Sequence, residues 1–477
     1  MAKVVKGMAD FLPSSFSTNC YRKIVRVGEH VCKTFDYQFM QTPIVEERKL
    51  FERTLGTDTD IISKEMFLLA ARDPSEGNKL CLRPENTASV MRSIIENSLS
   101  YKQRIYYYGP MFRYERPQKG RQRQFHQFGV ECLGSDHYQS DLESLELAFQ
   151  FLSGVLDGRT DLFTLEINSI GTLEEREAYQ IELLKFIRNN LDLFFREVEK
   201  SSSKHPSSQE ESTKKVFAFS QDTRDRIDMA IKENNPRRVW RILDSKQDEA
   251  LIEDAIKNHG MPQLQQFQSE QNRVRFENVL KGLSWLNIPY EINPSLIRGL
   301  DYYTHTTFEF KSTNIGAKST ILAGGRYDTL AKQLGSPNTI PAVGWASGIE
   351  RLTILMEEIE KNKTQPTSQF LPKVFIAVIR GMESTTGVTE DDLAQFALNI
   401  SKQLRSQGFT VNYLEKGNLS KQLKHAQSNK CLLSCIIGDE EFVKQQVLLK
   451  NLETGAQQHV SLEHLGNEIS TIFSKTF

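Results

Sequence analysis

Along residues 17–35 the apolar positions Ile24, Val27, Val31 and Phe35 recur at three- and four-residue spacing, which predicts a helix with one inward stripe. Tyr37 to Pro43 reads as a short strand ending at proline, because a residue without an N–H is confined to strand ends and edges. Leu50 to Leu55 and Asn86 to Ser98 read as helices. Met66 to Leu69 and Lys79 to Leu82 flank a turn at Asp73-Pro74-Ser75-Glu76-Gly77 and form a candidate hairpin. Two longer aromatic-rich runs, Ile105 to Tyr114 and Arg123 to Leu133, predict paired strands joined by a polar loop that holds Pro117 and Gly120. Alternation along the second strand puts Phe125, Gln127 and Glu131 on one face and His126, Phe128 and Val130 on the other.

The pattern changes near residue 172. The chain is then mostly charged and helical as far as 289, and it includes Ser201 to Lys215, a polar tract too poor in apolar residues to pack. Val239 to Leu243 and Phe276 to Leu286 are the expected core of that insertion. Strand-rich sequence resumes at Ile292 and leads into a helix from Ser347. There Ser347 and Glu350, three residues apart, form a candidate capping box. The apolar side of this helix is Ile349, Leu352, Met356 and Ile359, and Arg351 points off it. Lys361 to Leu371 is a linker by composition. Beyond it, Val374 to Ile379, Phe409 to Leu414 and Cys431 to Gly438 are apolar strands alternating with helical segments, the pattern of a mainly parallel α/β sheet with right-handed crossovers. The expected organisation is a first catalytic segment (1–171), a mainly helical insertion (172–289), a second catalytic segment (290–362), a linker (363–372) and a C-terminal α/β domain (373–477).

A chain of 477 residues exceeds one ordinary core. Its 39% hydrophobic and 25% charged residues suit a globular protein, and a net charge of −1 excludes a globally basic nucleic-acid coat while leaving room for local basic patches. The six cysteines form no CxxC pair and have no zinc set beside them, so buried free thiols are expected and no protein-held metal. No secretory segment opens the sequence and no run of about 18 apolar residues occurs, so the expected location is cytoplasmic, without a membrane partner.

The chemistry concentrates in a few peptides. Arg113, Arg116, Lys119, Arg121 and Arg123 crowd the predicted hairpin, whose inner face adds an aromatic ring, an amide and a carboxylate. Cations suit phosphate, a ring suits a base, and acceptors suit an amine. Arg83-Pro84-Glu85-Asn86-Thr87 sets a carboxylate and a hydroxyl at a strand-to-helix junction. Arg298-Gly299-Leu300-Asp301-Tyr302-Tyr303-Thr304 puts an arginine and two phenols on a predicted strand. The glycines of Ala323-Gly324-Gly325-Arg326-Tyr327-Asp328 are expected to let backbone approach a ligand. Gly344 to Arg351 joins a glycine-bearing helix start to a cation. No G-x-x-x-x-G-K-S/T or G-x-G-x-x-G peptide is present, so any ATP would be held by arginines, whose donor forks match phosphate oxygens.

Together these peptides resemble the class II aminoacyl-tRNA synthetases. The hairpin resembles motif 2, Gly344 to Arg351 resembles motif 3, and the helix and strand ending at Pro43 look like motif 1, the dimerisation segment. RGLDYYT and AGGRYD match the signature peptides of histidyl-tRNA synthetases, the opening KGMADFLP fits the same family, and the C-terminal segment resembles a class IIa anticodon-binding domain. The resemblance implies a multidomain α/β fold: an antiparallel class II catalytic sheet flanked by helices, a helical insertion and the C-terminal domain. It implies ATP-dependent activation of L-histidine to the adenylate, with Mg²⁺ accompanying ATP, transfer to tRNA(His), and a homodimer.

It also implies roles. Arg113 would hold the ATP α-phosphate and the amino-acid carboxylate, Arg121 the far phosphates, and Phe125 the adenine, with Arg351 on the other face of the base. Glu85, Thr87 and Gln127 would accept from the α-ammonium. Glu131 and Tyr303 would take the imidazole, Tyr302 and Tyr327 would line its pocket, and Arg298 would be the catalytic arginine. Arg116 and Gln118 occupy positions that read the 5′ end of tRNA(His). Two departures stand out. The family often has glycine where this chain has Asn86, which is expected to act as a helix cap, and the insertion is longer than usual. The alternative reading is a catalytically silent synthetase-like regulatory subunit of histidine biosynthesis. Such proteins typically lack the C-terminal domain and lose motif 2 residues, whereas this chain keeps both.

Overall fold

The structure, a computed structural model, describes residues 3–13, 15–55, 59, 61–71, 73, 75, 77–196, 218–245, 247–297, 302–314, 319–361, 371–379, 387–413 and 417–476. Ser201 to Lys215, Arg298 to Asp301 and most of the expected linker lie outside them. The chain divides into two compact units, Met1–Asn362 and Lys363–Phe477.

The first unit begins with α1 (Phe16–Thr34), β1 (Gln38–Phe39), β2 (Val45–Glu47), α2 (Arg48–Leu55), β3 (Leu80–Leu82), α3 (Thr87–Glu96), β4 (Gln103–Phe112), β5 (Gln124–Leu133), α4 (Tyr138–Val155) and β6 (Thr164–Ser169). The helices α5 (Leu173–Asn189), α6 (Leu191–Phe195), α7 (Gln221–Lys232), α8 (Glu249–His259) and α9 (Glu270–Trp285) follow. It closes with β7 (Tyr290–Ile292), β8 (Thr304–Ser312), β9 (Ser319–Arg326), α10 (Leu330–Gln333), β10 (Ala342–Gly348) and α11 (Ile349–Lys361). Eight strands make one sheet in the order β1-β4-β5-β10-β9-β8-β6-β7. Its four central strands pair antiparallel, with Glu131 opposite Ile105 on one side and Gly344 on the other.

Period-two alternation divides the two faces of β5. Phe128 and Val130 point into a core shared with α1, α4, α9 and α11. The Phe128 ring is fully buried and lies between Tyr106 (5.9 Å), Tyr108 (6.2 Å) and Phe151 (5.1 Å). Truncating such a ring to alanine costs about 3–5 kcal/mol. Met111 and Tyr107, on the neighbouring strand, belong to the opposite core, with α2, α3 and the helices after β6.

Several local readings need correction. The strand expected from Tyr37 to Pro43 is paired only at Gln38 and Phe39, because Pro43 has no N–H and Thr42 turns to meet Arg83. Leu80–Leu82 pairs mainly with Val45–Glu47, and Leu68 contributes one bridge. Val279 and Leu283 pack with the sheet and α4 rather than forming a core of the insertion, whereas Val239 and Ile242 do pack as expected with the insertion helices α5, α7 and α8, in a cluster that runs on to α2 and α3. Ser347 lies inside β10, one residue before its end, and donates to the Ile321 carbonyl (2.8 Å). Glu350 accepts from the His126 N–H (2.9 Å) and faces its ring nitrogen (2.8 Å), so the pair makes no capping box.

The second unit holds β11 (Leu371–Val378), α12 (Glu390–Ser406), β12 (Thr410–Tyr413), α13 (Leu419–Ser428), β13 (Cys431–Ile437), α14 (Asp439–Val443), β14 (Gln446–Asn451), β15 (Gln457–Ser461) and α15 (Leu465–Thr476). Its sheet order is β12-β11-β13-β14-β15, parallel over the first three strands and antiparallel over the last two. Val374 and Ile376 pack with α12 and α15 on one face, and Phe375 and Ala377 with α13 on the other. Lys421 and Lys424 are exposed on α13. No described helix is long and apolar enough to cross a membrane.

Candidate active site

A cavity of about 400 Å³ opens on the face of β5 that carries Phe125 and Gln127. It is lined by Glu85, Thr87, Arg113, Arg121, Phe125, Gln127, Tyr302, Tyr303, Tyr327 and Arg351, drawn from peptides as much as 266 positions apart (351 − 85). Glu131 lies behind this wall, almost wholly buried. Arg116 and Gln118 are exposed in the β4–β5 loop and do not line the cavity. Arg298 is outside the described residues.

At one end the Glu131 carboxylate is held by hydroxyls. Oε1 accepts from Thr87 (2.7 Å) and Tyr107 (3.1 Å), and Oε2 accepts from Tyr327. Burial pushes its pKa up to about 8 against the opposing pull of these donors, and the nearby Glu85 charge adds to the rise. Gly344 makes this packing possible, since a Cβ there would stand 1.9 Å from Glu131 Oε2. Tyr303 lines the same end, 4.8 Å from the Tyr302 ring and 6.5 Å from that of Tyr327. The two phenols sit just ahead of β8 rather than on a strand.

Glu85 occupies the start of α3, where its carboxylate accepts from the N–H groups of Thr87 (2.7 Å) and Ala88 (3.0 Å). The cap is therefore Glu85. Asn86 makes no side-chain cap bond, contrary to expectation, and its Oδ1 accepts from Thr42 (2.6 Å) and Arg83 (3.1 Å). Burial raises the Glu85 pKa, while the helix N–H groups and Arg113 resist the rise.

The other end is cationic. Arg113 Nε donates to the Pro84 carbonyl (3.0 Å), and its guanidinium lies 5.2 Å from the Phe125 ring. Arg351 Nη1 donates to the Thr320 carbonyl (2.6 Å). Burial first, then the Arg121 and Arg113 charges, lowers the Arg351 pKa, although Glu115 opposes them. Like charges crowded this way cost energy unless an anion joins them. Arg121 pairs with the Glu115 carboxylate at 3.5 Å. Among the described residues no cluster of three or more His, Cys, Asp or Glu could hold a metal ion, but Glu115 and Glu309 both line the cavity.

In the signature AGGRYD, Tyr327 lines the cavity as expected but the two glycines do not. Gly324 and Gly325 give room to the Gly344 carbonyl and the Tyr303 ring. Arg326 is fully buried and bonds Asp141, Asp328 and Ser140. Tyr107 was not anticipated. It stands opposite Gly129, so its face was readable from the strand pairing once the register was known.

The family comparison decides the assignment. The sequence model of histidyl-tRNA synthetases matches residues 7–174 and 200–352, and that of an anticodon-binding domain matches 373–472. The chain belongs to the histidyl-tRNA synthetase family. It is 36% identical over 463 residues to a histidine–tRNA ligase of Rhodospirillum rubrum, with 96% of each chain covered. It is 37% identical over 462 residues to one from a Synechococcus strain, again with 96% of each covered. The apo histidyl-tRNA synthetase of S. aureus superimposes with a TM-score of 0.69 at 26% identity, covering 98% of this chain and all of that one. The multidomain α/β architecture above is that of these synthetases.

Proposed function

We propose that the cavity activates L-histidine with ATP and that the chain transfers the activated histidine to tRNA(His). The observation that carries this reading is a single cavity with a buried carboxylate at one end and three guanidinium groups at the other. A neutral imidazole has one N–H donor and one bare nitrogen, so Glu131 suits the first and Tyr303 the second. Thr87 spends its one proton on Glu131, which leaves its oxygen lone pairs for an ammonium donor. The Gln127 Oε1 is buried without a hydrogen-bond partner among the described residues and suits the same ammonium. Glu85 adds negative charge there. Arg113 would meet the carboxylate and α-phosphate, Arg121 the far phosphates, and Arg351 and Phe125 the adenine ring. Tyr302 and Tyr327 close the imidazole pocket. The histidine carboxylate attacks the α-phosphorus in line and pyrophosphate leaves. These side chains act by positioning the reactants and by balancing developing charge, without a protein nucleophile. Arg298 takes the family's catalytic arginine role in this reading. Glu115 and Glu309, which line the cavity, would be the carboxylates available to a Mg²⁺ ion carried by ATP, and that ion would offset the charge of the triphosphate.

The exposed Arg116 and Gln118 suit contact with the 5′ end of the tRNA acceptor arm, and the second unit suits the anticodon. We place the chain in the cytoplasm, with its substrates, as a homodimer. The silent-paralogue alternative is disfavoured by the full-length match and by the retained cationic end. Radiolabelled pyrophosphate exchange into ATP is the test. Exchange is expected with histidine and with no other amino acid; exchange driven by a different one, or by none, overturns the reading.

A further inference from the structure

Asn86 stands where the family often has glycine, and its surroundings give its amide a fixed direction. Oδ1 faces two donors. The Thr42 hydroxyl donates to it at 2.6 Å, and Arg83 Nη1 donates at 3.1 Å. The same Arg83 nitrogen also bonds the Thr42 carbonyl (3.0 Å) and hydroxyl (3.0 Å), and Arg83 Nε bonds the Pro110 carbonyl (3.1 Å). A guanidinium has no acceptor, so a flipped amide would set its NH₂ against another donor. Nδ2 is therefore the atom left over. It is buried and has no hydrogen-bond partner among the described residues, on a side chain that is 1% exposed. Buried amide donors are nearly always satisfied in folded proteins, so an orphan of this kind asks for a partner from elsewhere.

Asn86 also lines the cavity, beside Glu85 and Thr87. Arg113 is tethered to the carbonyl of Pro84, two residues away, which brings a guanidinium to the same stretch of wall. Among the described residues the other unpartnered side-chain atom of the cavity lining is an acceptor, Gln127 Oε1. A zwitterion supplies the complement of both atoms: an ammonium for the acceptor and a carboxylate for the donor.

We propose that Asn86 is a substrate-binding residue whose side-chain N–H donates to the carboxylate of the bound amino acid, beside Arg113. The proposal rests on the amino-acid activation read above and adds a contact that a glycine at this position cannot make. Thr42 and Arg83 act through Asn86 by holding its amide in one orientation.

The experiment uses the full chain, histidine-dependent pyrophosphate exchange, and inhibition by histidinol, which keeps the amine and imidazole but lacks the carboxylate. Asn86→Gly is expected to raise the KM for histidine about tenfold, the loss of one hydrogen bond to a charged group, while the inhibition constant of histidinol stays within about twofold. Asn86→Asp retains an acceptor for Thr42 and Arg83, so it guards against simple loss of structure. It turns a carboxylate toward the substrate's own, and is expected to weaken histidine by about a hundredfold and histidinol far less. Thermal melting of each variant accompanies the kinetics. An unchanged KM in Asn86→Gly overturns the proposal, and so does equal weakening of histidine and histidinol in both variants, which would make Asn86 a structural residue only. Absence of histidine-dependent exchange in the unaltered chain is a separate outcome and overturns the activation reading itself.

Discussion

The Glu131 carboxyl, with a pKa near 8, keeps its proton in the folded chain at pH values where an unfolded glutamate, near 4.3, has lost it. The folded state then binds more protons than the unfolded state across that window. This contribution to stability is complete at low pH and disappears as pH rises from roughly 4.3 through 8. Glu131→Gln is neutral throughout and lacks it. Melting curves between pH 5 and 8 are therefore expected to fall less steeply for Glu131→Gln than for the unaltered chain. Identical slopes would mean that burial does not hold the proton. The same variant is expected to lose most histidine-dependent exchange, since an amide NH₂ replaces one of the two oxygens that accept from the Thr87, Tyr107 and Tyr327 hydroxyls and disturbs the end of the cavity that takes the imidazole. A second residue belongs here. Arg298→His is expected to lower the adenylation rate by about a hundredfold or more, the scale for losing one charge-stabilising donor, with little change in melting temperature. Unchanged turnover in stopped-flow adenylation would remove Arg298 from the reaction.

Among the elements, β9 and α4 depend on one buried ion pair. Arg326 and Asp141 are both fully buried, 2.9 Å apart, and Arg275 reaches the same carboxylate at 2.7 Å. Asp141→Ala takes the shared carboxylate from two guanidinium groups and leaves Arg326 only Asp328 as a carboxylate partner, and breaking a buried pair from one side costs about 3–5 kcal/mol. Urea unfolding is expected to show that loss; a change under about 1 kcal/mol would mean that water or a rearranged carboxylate replaces Asp141. This pair also marks how far the sequence could be read. The β4–β5 hairpin was legible because alternation of Phe125, Gln127 and Glu131 against His126, Phe128 and Val130 carries both the strand period and the face. The inward face of α11 was legible for the same reason. Local spacing misled where long-range partners compete: Glu350 sits at capping-box distance from Ser347, yet the His126 backbone and ring take it. Asn86 has a capping side chain, but Arg83 and Thr42 claim its oxygen. Arg326 carried no reading in the sequence, because its partner Asp141 lies 185 positions away and only the fold brings the two together. Strands β14 and β15 have no long apolar run and went unread.

At the scale of the molecule the terminal strand β1 of the catalytic sheet and the separate β2–β3 pair both expose apolar side chains. Phe39, on the terminal strand β1, is 47% exposed; Leu80 and Val45, on one face of the β2–β3 pair, are 45% and 42% exposed. A terminal strand and an exposed apolar face each invite a partner, and a second copy can cover such surfaces isologously. The consequence for catalysis runs through backbone. Ile44, adjoining Val45, accepts from the Arg83 N–H at 2.9 Å, and Arg83 holds the Asn86 amide inside the cavity. Pairing of two copies at this edge would therefore stiffen the wall that meets the amino acid. The chain is expected to sediment at twice its 54.7 kDa mass at micromolar concentration. A double substitution, Val45→Glu with Leu80→Glu, sets like charges on that face and is expected to yield monomers. In those monomers KM for histidine is expected to rise about tenfold, with a smaller effect on KM for ATP, because Arg121 and Arg351 are anchored away from this edge. A variant that stays dimeric would put the interface elsewhere. A monomer with unaltered histidine kinetics would break the link from Ile44 through Arg83 to the cavity, and leave the edge strands a purely structural contact.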